Sequence, residues 1–282
     1  MRTSLSGIRE AQREQRVFHG SDMGTVVAHQ SGSVRATKVT TTRRPAMPPR
    51  FHWTAFDVSG LLPDDWTNDI GAVAAEADFR DFPRTPVLSR EAEKTTHVTR
   101  GRVRADLVRQ RLAWLYALYR DDFLELAAQA FAEPIEPALD DRYGVVLNVQ
   151  RGTTMRFECH VDSNPVTGLL FLTDHPRGGG ELVVGHDPTT VGVEAAERDC
   201  SVIRPQAGQL IFFDGKTHPH YARALLSGSE VRVVAVMNFY TTACPESTRP
   251  SELNRHLFGA DSRTGEVVEA GQSHVERTGD IR

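Results

Sequence analysis

The stretch FECHVDSNPVTGLLFLTDH, residues 157–175, sets a histidine and an aspartate two places apart, His160 and Asp162, just before an apolar run. On a strand, residues two apart point to the same face. One imidazole and one carboxylate on one face supply two ligands of a metal site, and a third must come from elsewhere. The candidates are His218 and His220 in FFDGKTHPHYARALLSGSEVRVVAVMNFY, residues 212–240, where both follow a β-like run. Two histidines and one carboxylate leave three coordination positions open, an arrangement that suits non-haem Fe(II) binding a co-substrate and O₂. Cys159 alternates away from His160 and Asp162 and is expected in the core.

The surrounding sequence has strand character from Tyr143 onward. YGVVLNV, TGLLFLT, GELVVG, CSVIRP, GQLIFFDG and EVRVVAVMNFY are short apolar runs separated by Gly, Pro and Asp, the pattern of a β-sandwich or jelly roll. Residues 49–142 read as mainly helical. LPDDWTNDIGAVAAEADF has Asp64 and Asp65 near a helix start, and Val108, Leu112, Leu115 and Tyr119 recur at helical steps along one face. Pro134 ends the last of these helices. Trp53, Trp66 and Trp114 are expected to pack within this helical zone. Between its helical parts, RDFPRTPVLSREAEKTTHVTRGRV reads as a long polar loop. Residues 1–48 read as a flexible leader and 243–282 as a C-terminal extension, with 143–242 the β core. Helices first and strands later give an α+β fold with a helix-buttressed β core.

Composition narrows the function classes. In 282 residues, 39% are hydrophobic and 25% charged, with a formal charge of −4. That balance offers nothing electrostatic to nucleic acid or an anionic membrane, and no apolar run approaches the ~20 residues of a membrane span. The three cysteines, with no CxxC pair, argue against a disulfide framework, and a cytoplasmic location is expected. The partner expected is a small-molecule substrate.

Arg232 adds an independent observation. Alternation in EVRVVAVMNFY places Arg232, Val234, Val236, Asn238 and Tyr240 on one strand face. An arginine among valines is costly to bury unless it meets an anion, and a carboxylate would satisfy it bidentately.

With HVD at 160–162, GGGEL at 178–182, PQAGQLIFFDGKTHPH at 205–220, then Gly228 and Arg232, the chain resembles the Fe(II)/2-oxoglutarate-dependent oxygenases over about residues 143–242. Within them it is most similar to the bacterial amino-acid hydroxylase and halogenase group. The resemblance implies a double-stranded β-helix, jelly-roll and cupin-like, buttressed by the N-terminal helices. It implies Fe(2+), 2-oxoglutarate and O₂ as cofactor and co-substrates. His160, Asp162 and His220 then serve as metal ligands, and Arg232 binds the 2-oxoglutarate C5 carboxylate. His220 is preferred to His218 because Arg232 lies twelve residues after the former and fourteen after the latter. Halogenating relatives carry Gly or Ala in place of the aspartate. Asp162 therefore implies hydroxylation or a related two-electron oxidation, not halogenation, and the resemblance to this group implies a free amino acid or derivative as substrate, with release of succinate and CO₂; desaturation and cyclisation begin the same way and stay open.

Further candidates are weaker. Asn148 and Gln150 share a strand face near the 2-oxoglutarate position and are candidate contacts to it, although a solvent-facing side is an equal alternative. Asn238, Asn164 and Tyr143 are substrate-binding candidates. Tyr143 departs from the acidic residue that lysine-directed relatives carry there. In the polar loop, Arg84, Arg90, His97 and Arg100 would suit a substrate carboxylate, the alternative being solvated charge. His175 and His186 flank the HPRGGG turn and are expected to be exposed. The competing classes are a cupin-type metalloenzyme, which leaves Arg232 unexplained, a metal-free β-sandwich binding module, and an oxygenase acting on a peptide or carrier-bound substrate.

Overall fold

The computed structural model describes residues 15–19, 25–29, 53–131 and 133–258. Their architecture is three layers, with helices on a large antiparallel sheet and a small antiparallel sheet on its other face. The large sheet begins with β1 (Gln15–His19), β2 (Thr25–His29), β3 (Trp53–Asp57), β4 (Asp78–Pro83), β5 (His97–Val103), β6 (Ile135–Pro137), β7 (Val145–Arg151) and β8 (Val166–Phe171). The small sheet contains β9 (Leu182–Gly185), β10 (Cys200–Ile203) and β12 (His220–Ala222), while β11 (Gln209–Phe213) and β13 (Val231–Thr241) return to the large one. The large sheet runs β2-β1-β3-β11-β8-β13-β7-β5-β4, with β6 also on β13, and the small sheet runs β10-β9-β12. This is a jelly-roll arrangement of two facing sheets, not closed into a barrel.

The six apolar runs all become strands, and alternation decides which layer each side chain enters. Along β13, Val233, Ala235, Met237 and Phe239 pack toward the helices, whereas Val234 lies between the sheets with Leu169, Phe171, Leu182 and Phe213. Phe212 anchors the helix side, its ring edge-on to Phe56 at 6.0 Å and to Phe239 at 5.8 Å. Truncating such a ring costs about 3–5 kcal/mol.

Four helices cover that side: α1 (Trp66–Ala74), α2 (Ala105–Arg111), α3 (Ala113–Arg120) and α4 (Asp122–Phe131). The expected apolar face is real, because Val108, Leu112, Leu115 and Tyr119 are all fully buried. A short helix, α5 (Val193–Ala196), covers the outer face of the small sheet, where Cys159 is buried with Val183 and Tyr221. A last helix, α6 (Ser251–Phe258), follows β13.

Residues 49–142 also hold strands, which corrects the mainly helical reading. Trp53 sits on β3 and packs against the cluster between the sheets. The polar stretch 80–103 is a loop over 84–96, as expected, but its two ends belong to β4 and β5, paired antiparallel and joined to β7. Its alternation is hidden because the guanidinium groups of Arg80 and Arg100 lie over the Phe82 ring at 4.9 and 4.2 Å. Charged residues thus occupy positions where apolar ones would have signalled a strand. The leader expected over 1–48 falls outside the described residues, apart from β1 and β2, as does the extension beyond residue 258.

Candidate metal centre and its pocket

His160 and His220 are brought together by backbone pairing. Residues 157–160 run beside β12: His160 N donates to His220 O at 3.0 Å, and His220 N returns to His160 O at 2.9 Å. Residues that exchange both hydrogen bonds stand directly opposite and project to one face, and the two rings lie 4.5 Å apart. Asp162 follows two residues later, its N–H bound to Gly215 O at 2.8 Å. The ligand atoms of His160, Asp162 and His220 all lie within 4.8 Å of one another.

The orientation of each ring suits a metal ion. His160 Nδ1 donates to Glu158 O at 2.7 Å, and His220 Nδ1 to His218 O at 2.9 Å. A carbonyl only accepts, so each Nε2 keeps its lone pair for ligation. These Nε2 atoms face the two Asp162 oxygens at 3.3 and 3.4 Å. Thr167 Oγ1 donates to Asp162 Oδ2 at 2.5 Å and accepts from Asn164 Nδ2 at 3.0 Å. A Cβ at Gly215 would overlap both Asp162 Oδ2 and Thr167 Oγ1, so only glycine leaves room for this carboxylate.

Electrostatics agree with that fit. Burial alone would raise the Asp162 pKa, but His220 and His160 beside it, together with Thr167, hold it far below the usual carboxylate range. Burial takes His220 down to about 4, against the opposing pull of Asp162. An ionised carboxylate and a neutral imidazole are the forms that bind metal. His160 is displaced upward: burial opposes its charge, but the hydrogen bond and charge of Asp162 outweigh burial.

The triad opens into a pocket between the sheets, lined also by Asn148, Thr167 and Arg232. Arg232 is 2% exposed, and its Nε has no hydrogen-bond partner. Burial pushes the guanidinium pKa down to about 9, with Glu181 pulling the other way. The turn over residues 178–180 presses on this side chain; all three glycines have positive φ, and a Cβ on Gly180 would lie 2.7 Å from Arg232 Cδ. Here the structure corrects an expectation. His175 is buried, not exposed, with its ring against Thr173 Oγ1 at 3.2 Å and 3.9 Å from Glu230 Oε2. Burial and the nearby charge of Arg232 push its pKa down. The turn folds His175 inward, where its Nε2 meets Thr173 Oγ1 and Glu230, just before β13, lies nearby without a hydrogen bond.

The other candidates divide. Gln150 is fully buried beside Arg232 in register, and its Nε2 is used on Met155 O and Arg223 O. Asn148 is half-buried on the same face. Asn164 supports Thr167, and Asn238 Nδ2 is bound to Tyr143 O at 2.6 Å. Tyr143 packs with Tyr240 and Leu253 in a separate cluster, its hydroxyl on Asn254 Oδ1. His97 is exposed and lies on the opposite face of β5 from Arg100. Arg84 and Arg90 bind loop carbonyls, Glu91 O and Val87 to Ser89. His218 holds Gly185 O at 3.1 Å and is not among the clustered ligands. Sequence reasoning missed Thr167, Arg102 and His256; Thr167 was visible as the first residue of TGLLFLT, two before Leu169 on the same face.

No family model and no curated protein matches the chain. Solved structures do. The non-heme alpha ketoglutarate dependent epimerase SnoN from nogalamycin biosynthesis is 16% identical, with 77% of this chain and 90% of that one aligned at a TM-score of 0.51. A 2OG-Fe(II) oxygenase family oxidoreductase from Burkholderia pseudomallei is 14% identical, covering 67% and 84%, at 0.47. HygX from Streptomyces hygroscopicus, solved with nickel, 2-oxoglutarate and hygromycin B, is 13% identical, covering 67% and 83%, at 0.44. At these identities the likeness is one of fold: the chain has the jelly-roll fold of the Fe(II)/2-oxoglutarate oxygenases. Among the described residues, no helix is long and apolar enough to cross a membrane.

Proposed function

We propose that this chain is an Fe(II)- and 2-oxoglutarate-dependent oxygenase acting on a C–H bond of a small molecule, most simply a hydroxylase of a free amino acid or derivative. One observation carries the reading. A His-Asp-His cluster and a buried arginine with an unpartnered donor share one pocket. The cluster suits a divalent metal ion and the arginine a carboxylate, and a dicarboxylic keto acid answers both.

Iron, when bound, supplies the activation of O₂ coupled to decarboxylation of the keto acid. The chain's own residues do the rest. His160, Asp162 and His220 would hold the metal, in the pocket that Arg232 also lines. Arg232 fixes the far carboxylate of 2-oxoglutarate, and its low-dielectric setting strengthens that contact. Thr167 and Asn164 hold the Asp162 carboxylate in its orientation. Leu169, Leu182 and Val234 line the pocket with apolar surface that limits water. Retention of Asp162 favours transfer of oxygen over transfer of halide.

Anaerobic addition of Fe(II) and 2-oxoglutarate is expected to give a weak visible metal-to-ligand charge-transfer band. Absence of that band with iron bound overturns the co-substrate assignment. A panel of free amino acids, read by succinate release and by gain of one oxygen in product mass, tests the substrate class.

A further inference from the structure

A second group of half-buried cations lies across β7 from Arg232. Arg100 and Arg102 are two apart on β5, so both share the pocket-side face. Arg102 stands directly opposite Asn148, and Asn148 lines the metal pocket. On the other edge of β7, Gln150 stands opposite Arg232. The strand therefore carries one cationic position on each side.

Among the described residues, four nitrogens of this second group have no partner. Arg100 Nε and Nη2, Arg102 Nε and His256 Nε2 are all buried without a hydrogen-bond partner. Arg100 rests on the Phe82 ring at 4.2 Å, but a ring engages the face of a guanidinium and leaves its in-plane N–H groups unanswered. Glu158 is the acid whose charge Arg100 feels, and its two oxygens already accept from Thr85 N at 2.8 Å and Thr85 Oγ1 at 2.6 Å. The roof is α6, which brings His256 within the field of Arg100 and the Phe258 ring to 5.7 Å from Arg102. Two half-buried arginines side by side, each with a buried nitrogen that lacks a partner among the described residues, destabilise a fold unless an anion joins them.

We infer that Arg100 and Arg102, beside α6, form an oxyanion site that holds a carboxylate or phosphate group of the substrate while the rest of that molecule extends past Asn148 toward the metal centre. The proposed oxygenase is thereby restricted to anionic substrates, with Arg232 reserved for the co-substrate. The substrate role rests on the oxygenase reading; the anion site itself does not.

The test uses the full chain loaded with Zn(II) and saturating 2-oxoglutarate, so that no turnover occurs. Calorimetric titration compares inorganic phosphate with free amino acids, each paired with its C-terminal amide. An acid is expected to bind at least about tenfold tighter than its amide, a difference of ~1.4 kcal/mol; binding of phosphate alone would support the same site and name a phosphoryl substrate. Combined Arg100→Met and Arg102→Met is expected to lose that binding at least tenfold while raising the melting temperature of the ligand-free chain by ~3 °C, because an uncompensated charge pair is gone. A purely structural pair would instead lower the melting temperature. If that variant does not fold, combined Arg100→Lys and Arg102→Lys keeps charge without the planar fork, and a tenfold loss is again expected. Equal binding of acids and amides, undiminished binding by either variant, or no binding by phosphate and every acid overturns the site. The charge-transfer band reports on the oxygenase reading separately: its absence with anion binding intact overturns that reading alone.

Discussion

The two sheets that face each other across the pocket carry opposite kinds of group. Two of the clustered ligands belong to the small sheet, His220 on β12 and His160 on the segment beside it, with Asp162 just beyond. Each is already held: both imidazole Nδ1 atoms have carbonyl partners, and the carboxylate has Thr167. The large sheet carries Arg232, Arg100 and Arg102, each with a buried nitrogen that has no partner. A satisfied constellation is oriented before its ligand arrives, and its cost has been met within the fold. An unsatisfied one keeps a buried charge waiting, and its cost is met by the ligand. One wall is therefore built to receive a cation, the other to receive anions.

The comparison breaks most sharply at the small sheet. His220→Ala is expected to abolish the Fe(II)/2-oxoglutarate band and to weaken metal binding by more than ~100-fold, beyond the loss caused by an outer partner. His218→Ala should leave the band in place, and the reverse pattern would move the distal ligand. On the large sheet the effect is smaller and of another kind. Arg232→Met is expected to raise the half-saturating 2-oxoglutarate concentration by about 10–100-fold, the worth of one charge-assisted hydrogen-bonding group, with iron binding unchanged. An unchanged requirement for 2-oxoglutarate would place the far carboxylate on another cation.

What was legible in the sequence follows the same division. HVD and the two later histidines were readable as a ligand pattern at close spacing beside apolar runs, and Arg232 because it lies on β13, an apolar strand whose alternation fixes its face. The His160–His220 pairing was not readable: β12 is only three residues long, and its partner is a single bridge. Arg102 escaped because β4 and β5 form a sheet edge whose charged residues rest on Phe82, which erases the period-two signal. His256 lies on a helix more than 150 residues beyond Arg100, and only the fold brings the two together. The burial of His175 was masked by a Pro-Gly turn whose composition reads as surface.

Behind the metal ligands, Thr167→Val keeps the shape and removes the hydroxyl that donates to Asp162 at 2.5 Å. Metal affinity is expected to fall about tenfold, the low end for an outer partner, read by competition with a chromophoric chelator. An unchanged affinity would mean that the histidines, with the Asp162 N–H bond to Gly215 O fixing the backbone, hold the carboxylate without Thr167.

The smallest effect separates a binding role from a structural one. Asn238 shares the face of Arg232 on β13, yet its Nδ2 is occupied at 2.6 Å by Tyr143 O, and the Tyr143 hydroxyl in turn reaches Asn254 on α6. The side chain thereby ties the end of β13 to the segment entering β7 and, through Tyr143, to the helix that roofs Arg100 and Arg102. Asn238→Ala removes one neutral hydrogen bond, worth about 1 kcal/mol, so thermal denaturation should show a drop of ~2–4 °C. If Asn238 acts only through this tie, the affinity for 2-oxoglutarate stays unchanged and the affinity for the anionic substrate shifts less than in an Arg100 or Arg102 variant. A loss of substrate affinity with no change in melting temperature would instead make Asn238 a direct contact, and the substrate site would then reach along β13 beyond Arg232.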